Sequence, residues 1–187
     1  MNQEILQSTE TRVLYTIDHD DRLVYLNDVW DRFALENASG HLTGERIRNQ
    51  RLWDFIADAE TRHLHQVLVK RIRTRQVPVQ LPFRCDSPSV RRYMMMEMVP
   101  APEAAVEYRC TVLRIEQRAP VLFMEQKGWR GDTLIRMCSW CKKVHTGEDV
   151  WMEIEDAIQE LQLFERKRLP EISHTMCDEC LHQLDDI

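Results

Sequence analysis

The sequence predicts an α+β fold: a five-stranded antiparallel sheet with helices on one face, joined to a small C-terminal subdomain held by four cysteines. Three observations predict it. Two stretches of strand-like alternation open the chain, helical periodicity follows, and three further alternating stretches come after it. Two Cys-x-x-Cys pairs, Cys138-Ser139-Trp140-Cys141 and Cys177-Asp178-Glu179-Cys180, stand in the last third. Between these two regions, Glu116 to Asp132 carries Pro120, Gly128 and Gly131 and reads as a connector.

Taken in order, residues 2–9 are expected to form a short helix bearing Ile5 and Leu6, stable only when docked. Val13, Tyr15 and Ile17 alternate with less buried positions as a strand, Asp18 to Asp21 turns the chain, and Leu23 to Leu26 returns as its hairpin partner. Asn27 or Asp28 caps the next helix, in which Trp30, Phe33 and Ala34 share a face. Gly40 and Gly44 break that pattern, and Leu52-Trp53-Asp54-Phe55-Ile56 reads as an apolar turn pinned to the core. Asp58 caps the longest helix, residues 59–75, where Leu64, Val67, Leu68 and Ile72 recur at helical spacing. Its basic end, Lys70, Arg71, Arg73 and Arg75, suits the negative pole of the helix dipole.

Val77, Val79, Leu81, Phe83 and Cys85 then alternate with Pro78 and Pro82 on the other parity, as in a strand at an open edge or with an irregular start. Val90 to Val99 runs back with Met94, Met96 and Met98 on one side. Val106, Tyr108, Cys110 and Val112 share a face, and the change of parity at Leu113 and Ile115 predicts a bulge or twist. The apolar Val121-Leu122-Phe123-Met124 in the connector is expected to pack on one of the two domains. In the tail, Asp149 caps a helix lined by Trp151, Ile154, Ile158 and Leu161, with Glu153, Glu155 and Asp156 near its positive end.

The chain has 187 residues, 43% hydrophobic and 30% charged, enough to bury a core. Its formal charge of −6 repels phosphate backbones, so nucleic acid is not the expected partner; the pair Arg91-Arg92 reads as part of a solvated face. No apolar run approaches the roughly 20 residues that span a bilayer, and Met1-Asn2-Gln3-Glu4 is no signal peptide, so the expected location is cytoplasmic with no membrane partner.

A two-residue spacer turns both sulfurs of a pair toward one point, and two such pairs can close a tetrahedron around Zn²⁺ at about 2.3 Å per bond. Core packing or disulfides are the alternatives. Paired spacing at both ends of one segment, in a chain of six cysteines in a reducing compartment, favours Cys138, Cys141, Cys177 and Cys180 as metal ligands. His174, His145 and His182 stand near enough in sequence to replace a thiolate. Four thiolates leave no place for a substrate water, which makes the zinc structural, and Lys142 and Lys143 can offset its excess charge. The tail is too short to own much of a core, so zinc is expected to dominate its stability. The same thiolates, if accessible, also suit a redox sensor that releases zinc on oxidation. A thioredoxin-like enzyme needs such a pair after a strand and opening a helix in a βαβ unit, and none is legible. With no nucleotide loop, kinase signature or Ser/His/Asp set, no catalytic residue is assigned and the chain reads as non-enzymatic.

The hairpin leading into Tyr25-Leu26-Asn27-Asp28-Val29-Trp30, then Leu42-Thr43-Gly44-Glu45, Leu52-Trp53-Asp54-Phe55-Ile56, the long helix and three strands resemble a PAS domain, a sensor and interaction module of signalling proteins. The tail, Met137 to Lys143 and Ile172 to Cys180, resembles a cysteine-rich tail of some bacterial PAS and response-regulator proteins. The resemblance implies a PAS-like sensor domain at 1–118, a connector at 119–133 and a four-cysteine zinc-binding tail at 134–187. It also implies a homodimer, with Ile5 and Leu6 as candidate contacts, a protein signalling partner, and a possible unidentified PAS ligand. In some haem-binding relatives the long helix supplies the axial ligand; here His63 and His65 lie early on it and Met94, Met95, Met96 and Met98 could add a soft ligand, although surface or capping roles for the histidines and core packing for the methionines are the plainer readings. The cysteine-centred sequence of flavin-binding relatives is missing, and Cys85 and Cys110 fall on core faces. The expected function is signal sensing by a PAS-like module coupled to a structural zinc site. The alternatives are the thiol-based redox sensor and a haem- or small-molecule-binding sensor.

Overall fold

The computed structural model describes residues 12–124, 130–165 and 168–185. The helix expected at residues 2–9, with Ile5 and Leu6, lies outside them. Contacts group the chain into two units: residues up to Ala57, His65–Pro82 and Met94–Arg114 form the first, and Asp58–Leu64, Phe83–Tyr93 and the chain from Ile115 onward form the second.

Strands β1 (Val13–Ile17) and β2 (Leu23–Leu26) form the expected hairpin. They join β3 (Val79–Arg84), β4 (Val90–Pro100) and β5 (Val106–Gln117) in one antiparallel sheet of order β2-β1-β5-β4-β3. The last strand therefore pairs with the first, Tyr15 opposite Tyr108, and closes the α+β architecture the element order predicts. β3 is an edge strand, where Pro82 costs no ladder hydrogen bond.

Helix α1 (Asp28–Glu36) is capped by Asn27, whose side chain accepts from the Trp30 amide at 3.0 Å. Helix α2 (Gly44–Ile47) follows a 3₁₀ turn at Gly40–Leu42, and a second 3₁₀ turn at Leu52–Phe55 buries Leu52 and Trp53. Helix α3 (Ala59–Arg75) has the expected length and cap, Asp58 accepting from the Thr61 amide at 2.8 Å. Its buried stripe differs from the expected one: His65, Leu68, Val69 and Ile72 face inward, and Val67 is 48% exposed. A strong apolar pair at 67 and 68 drew the predicted stripe one position off the axis that packing selects.

The core of the first unit holds Met94, Met96 and Met98 as predicted, with Tyr15 stacked on Tyr108 at 4.5 Å and edge-on to Trp30 at 5.1 Å. His65 is a core residue rather than a surface or capping one, 8% exposed with its ring 6.0 Å from Tyr108; burial pushes its pKa down to about 4. His63 is exposed. A groove of about 130 Å³ lies among Arg12, Gln80, Met95, Glu97, Arg109, Thr111 and Leu113, alternate positions to the buried ones, and is small beside ordinary ligand pockets.

Two strand readings change. The inward parity of β3 ends at Leu81: Phe83 is half-buried and Arg84 buried, because Arg84 ion-pairs with Asp86 and Glu153 inside the second unit. In β5, Leu113 and Ile115, each 55% exposed, continue the alternation outward instead of switching parity.

The second unit contains a four-stranded sheet of order β8-β7-β6-β9, made of β6 (Arg130–Cys138), β7 (Val144–Gly147), β8 (Val150–Met152) and β9 (Leu169–Thr175), with helices α4 (Ile154–Glu160) and α5 (Asp178–Asp185). The helix expected to begin after Asp149 starts later. Asp149 sits in the β7–β8 turn at φ +63°, Trp151 is in a strand, and Glu153 precedes the first turn of α4. The tail also owns more core than expected: Val121, Ile135, Met137, Val144, Ile154, Ala157 and Leu163 form a buried cluster, with Met124, Ile158, Leu161 and Ile172 packed against it. Val121 thus draws the apolar connector segment onto the tail.

Arg91 belongs to no solvated face. Arg84, Arg91 and Arg118 interleave with Asp86, Glu116, Glu153 and Glu155; one guanidinium nitrogen of Arg84 donates to both oxygens of Glu153 at 2.8 Å, and one of Arg91 to both oxygens of Glu155 at 2.9 and 3.0 Å. The acidic start of α4 is therefore an ion-pairing surface as well as a match to the helix dipole.

Candidate metal centre

Cys138 ends β6, and the chain turns back at once. Its amide donates to the Lys143 carbonyl at 2.8 Å, the Lys142 amide donates to the Cys138 carbonyl at 3.0 Å, and Lys142 takes a left-handed φ of +63°. The turn exposes backbone N–H groups to the Cys138 sulfur: the Trp140 amide lies 3.4 Å from it.

The second pair arrives by parallel pairing. β9 runs alongside β6 with Ile135 opposite Ile172 and Cys138 opposite Thr175, and the Ser139 amide extends the ladder to the Thr175 carbonyl at 2.8 Å. Cys177 follows that strand, and Cys180 lies in the first turn of α5, where the positive helix pole favours a thiolate. A Cys-x-x-Cys pair therefore does stand between a strand of a parallel pair and a helix, an arrangement that was not legible because it depends on pairing across the whole tail.

All four sulfurs lie within 4.8 Å of one another, and Cys141 Sγ is 3.7 Å from Cys177 Sγ. A tetrahedral ion with bonds of about 2.3 Å requires sulfur-to-sulfur edges of about 3.8 Å. A disulfide requires about 2.05 Å, and the six cysteines are free thiols. Cys138, Cys177 and Cys180 are buried and Cys141 half-buried. The donor set, four soft sulfurs with backbone N–H groups directed at them, fits a thiolate-bound ion.

The electrostatics favour a thiolate at Cys138. Hydrogen bonds from the Cys141 and Cys180 thiols, then from the amides of Cys141 and Cys177, hold Cys138 far below the usual thiol range. Donating to Cys138 pushes Cys141 up to about 12 and Cys180 higher still. Four sulfurs this close cannot all ionise without a cation between them. Lys142 donates to the Ser139 carbonyl at 2.6 Å, and Lys143 pairs with Glu179 at 2.9 Å beside Cys141 and Cys177.

The histidines go elsewhere. His145 stacks edge-on to Trp151 at 5.1 Å beside the Arg136 guanidinium, His174 sits on β9 opposite Met137, and His182 is exposed on α5. Cys85 is half-buried and Cys110 buried, and burial raises the Cys85 pKa. Sequence reading missed the groups that hold the turn in place. Ser139 donates to Asp58 at 3.2 Å, the Trp140 carbonyl accepts from the Arg84 amide at 2.8 Å, and Trp140 packs near Phe83.

Fold and site together define an α+β protein whose second unit carries a four-cysteine cluster able to hold a metal ion. No family model matches the chain, and no curated protein matches it. Among solved structures, the PAS domain of the quorum-sensing receptor RpfR of Cronobacter turicensis, in complex with C12:0, matches with a TM-score of 0.43 and 10% identity, covering 58% of this chain and 100% of that one. No helix among the described residues is long and apolar enough to cross a membrane.

Proposed function

We propose that the chain is a non-enzymatic signalling protein in which a PAS-like sensing and interaction module is joined to a structural zinc centre ligated by Cys138, Cys141, Cys177 and Cys180. The observation that carries this reading is the mutual approach of four sulfurs within 4.8 Å, with one edge of 3.7 Å. A full shell of four thiolates leaves no open position for chemistry, so the ion serves to hold the tail in shape. The protein works in the cytoplasm, as a homodimer, through a protein partner. Purified reduced protein is expected to contain one zinc per chain and Cys177→Ser to lose it; a reduced wild type free of metal overturns the proposal.

The half-buried Cys141 supports a second reading, a thiol-based redox sensor. In it, peroxide takes two electrons from the neighbouring Cys141 and Cys177 thiolates, a disulfide forms, peroxide is reduced to two waters with uptake of two protons, and zinc leaves. Peroxide treatment that leaves zinc content and free thiols unchanged ends that reading.

A further inference from the structure

The two turns that bring the sulfurs together also hold the start of α3. Ser139, between the first two cysteines, donates its hydroxyl to Asp58 Oδ2 at 3.2 Å, and Thr175, two residues before Cys177, donates its hydroxyl to Glu60 Oε2 at 2.6 Å. Asp58 is the cap of α3: the same Oδ2 accepts from the Thr61 amide at 2.8 Å, and the Asp58 carbonyl accepts from the Arg62 amide at 3.0 Å. The Ser139 amide bonds the Thr175 carbonyl, so the two hydroxyl donors are tied to each other. A third tie runs from the Trp140 carbonyl to the amide of Arg84, the last residue of β3. By contacts, Asp58–Leu64 and Phe83–Tyr93 belong to the same unit as the cysteines.

We propose that ion occupancy at the four sulfurs controls the order of the first turn of α3 and of the end of β3, through Ser139 and Thr175 in the first case and Trp140 in the second. The inference rests on the zinc reading and adds to it a mechanical output. Without an ion the four sulfurs share no common bond, so the two cysteine turns lose a link that fixes them against each other. Separation carries Ser139 and Thr175 away from Asp58 and Glu60, leaving the α3 cap with only local donors, and takes the Trp140 carbonyl from Arg84. Loading the ion restores all three ties. The α3 start and the β3 end then report the metal state of the tail to the rest of those two elements.

The test is amide hydrogen exchange on the full chain, after metal analysis, with and without a zinc chelator under reducing conditions. Stripping is expected to speed exchange on the order of tenfold at the Thr61 and Arg84 amides, with the Leu14 amide, bonded to Asn27 at 3.1 Å, unchanged as the reference. A Ser139→Ala, Thr175→Val protein that still binds one zinc is expected to lose the chelator response at Thr61 and keep it at Arg84, since that tie is backbone. Zinc loading with no response at either amide overturns the inference, as does a double variant whose Thr61 responds like the wild type. A reduced wild type without zinc at the outset overturns the metal reading itself, and this inference with it.

Discussion

Asn27 accepts from the amides of Leu14 at 3.1 Å and Trp30 at 3.0 Å and donates to the Arg12 carbonyl at 2.8 Å, so one side chain caps α1 and bridges to β1. Asn27→Ala removes the cap and both strand contacts, and is expected to cost about 2 kcal/mol in chemical denaturation. His65 makes the stability of the first unit depend on pH. Buried, its imidazole titrates near 4 rather than 6.5, so between those values the unfolded chain binds a proton that the folded chain does not. Its contribution is complete above pH 6.5 and is lost as pH falls toward 4. Between pH 6.5 and 5, wild type should lose about 2 kcal/mol that His65→Leu does not, measured as the difference in their denaturation midpoints. That His65 lies inside was hidden by composition: histidine at an early helix position gives no apolar signal, and the ring it packs near, Tyr108, lies on a strand distant in sequence.

Among the elements, β3 and α4 are tied through Arg84, whose side chain is 7% exposed and held by Asp86 and Glu153. Asp86 is 1% exposed, so removing the arginine strands a buried carboxylate. Arg84→Met is expected to cost about 3–5 kcal/mol, read as a lower thermal midpoint, with Arg118, 3.6 Å from Asp86, too distant to replace it fully. The elements legible in the sequence were those whose signal is local. The β1–β2 hairpin, the Asn27 and Asp58 caps and the methionine stripe of β4 each follow from spacing within about a dozen residues. Trp151 and Ile154 fit helical spacing, but pairing of Val144 with Met152 holds residues 150–152 as a strand. The inward turn of Arg84 and the parallel β6–β9 pairing depend on partners far along the chain and left no local mark. The cysteine pairs were legible as pairs, but their supports, Ser139, Trp140 and Thr175, carry no motif.

For the molecule as a whole, an ion that binds the folded cysteine cluster and not the unfolded chain stabilises the tail by mass action. Zinc at about a hundredfold above its dissociation constant adds about 2.7 kcal/mol, which should raise the thermal midpoint of the tail by about 11–22 °C over stripped protein. Trp140, 5% exposed in the first cysteine turn, reports the change: stripping is expected to red-shift the emission of wild type, with a smaller shift in Trp140→Phe. Because Val121, Ile135, Val144 and Leu163 supply a core that needs no ion, the stripped tail should keep part of its circular-dichroism signal. The distance in sequence between the two halves of the site has a consequence for how the molecule is made. Cys138 and Cys177 are 39 positions apart, and translation at about 5–20 residues per second leaves the first pair waiting about 2–8 s for the second. During that interval a nascent chain offers two bare thiols, a pair that can grip an ion only weakly and is open to oxidation until the ribosome finishes the four-sulfur clasp.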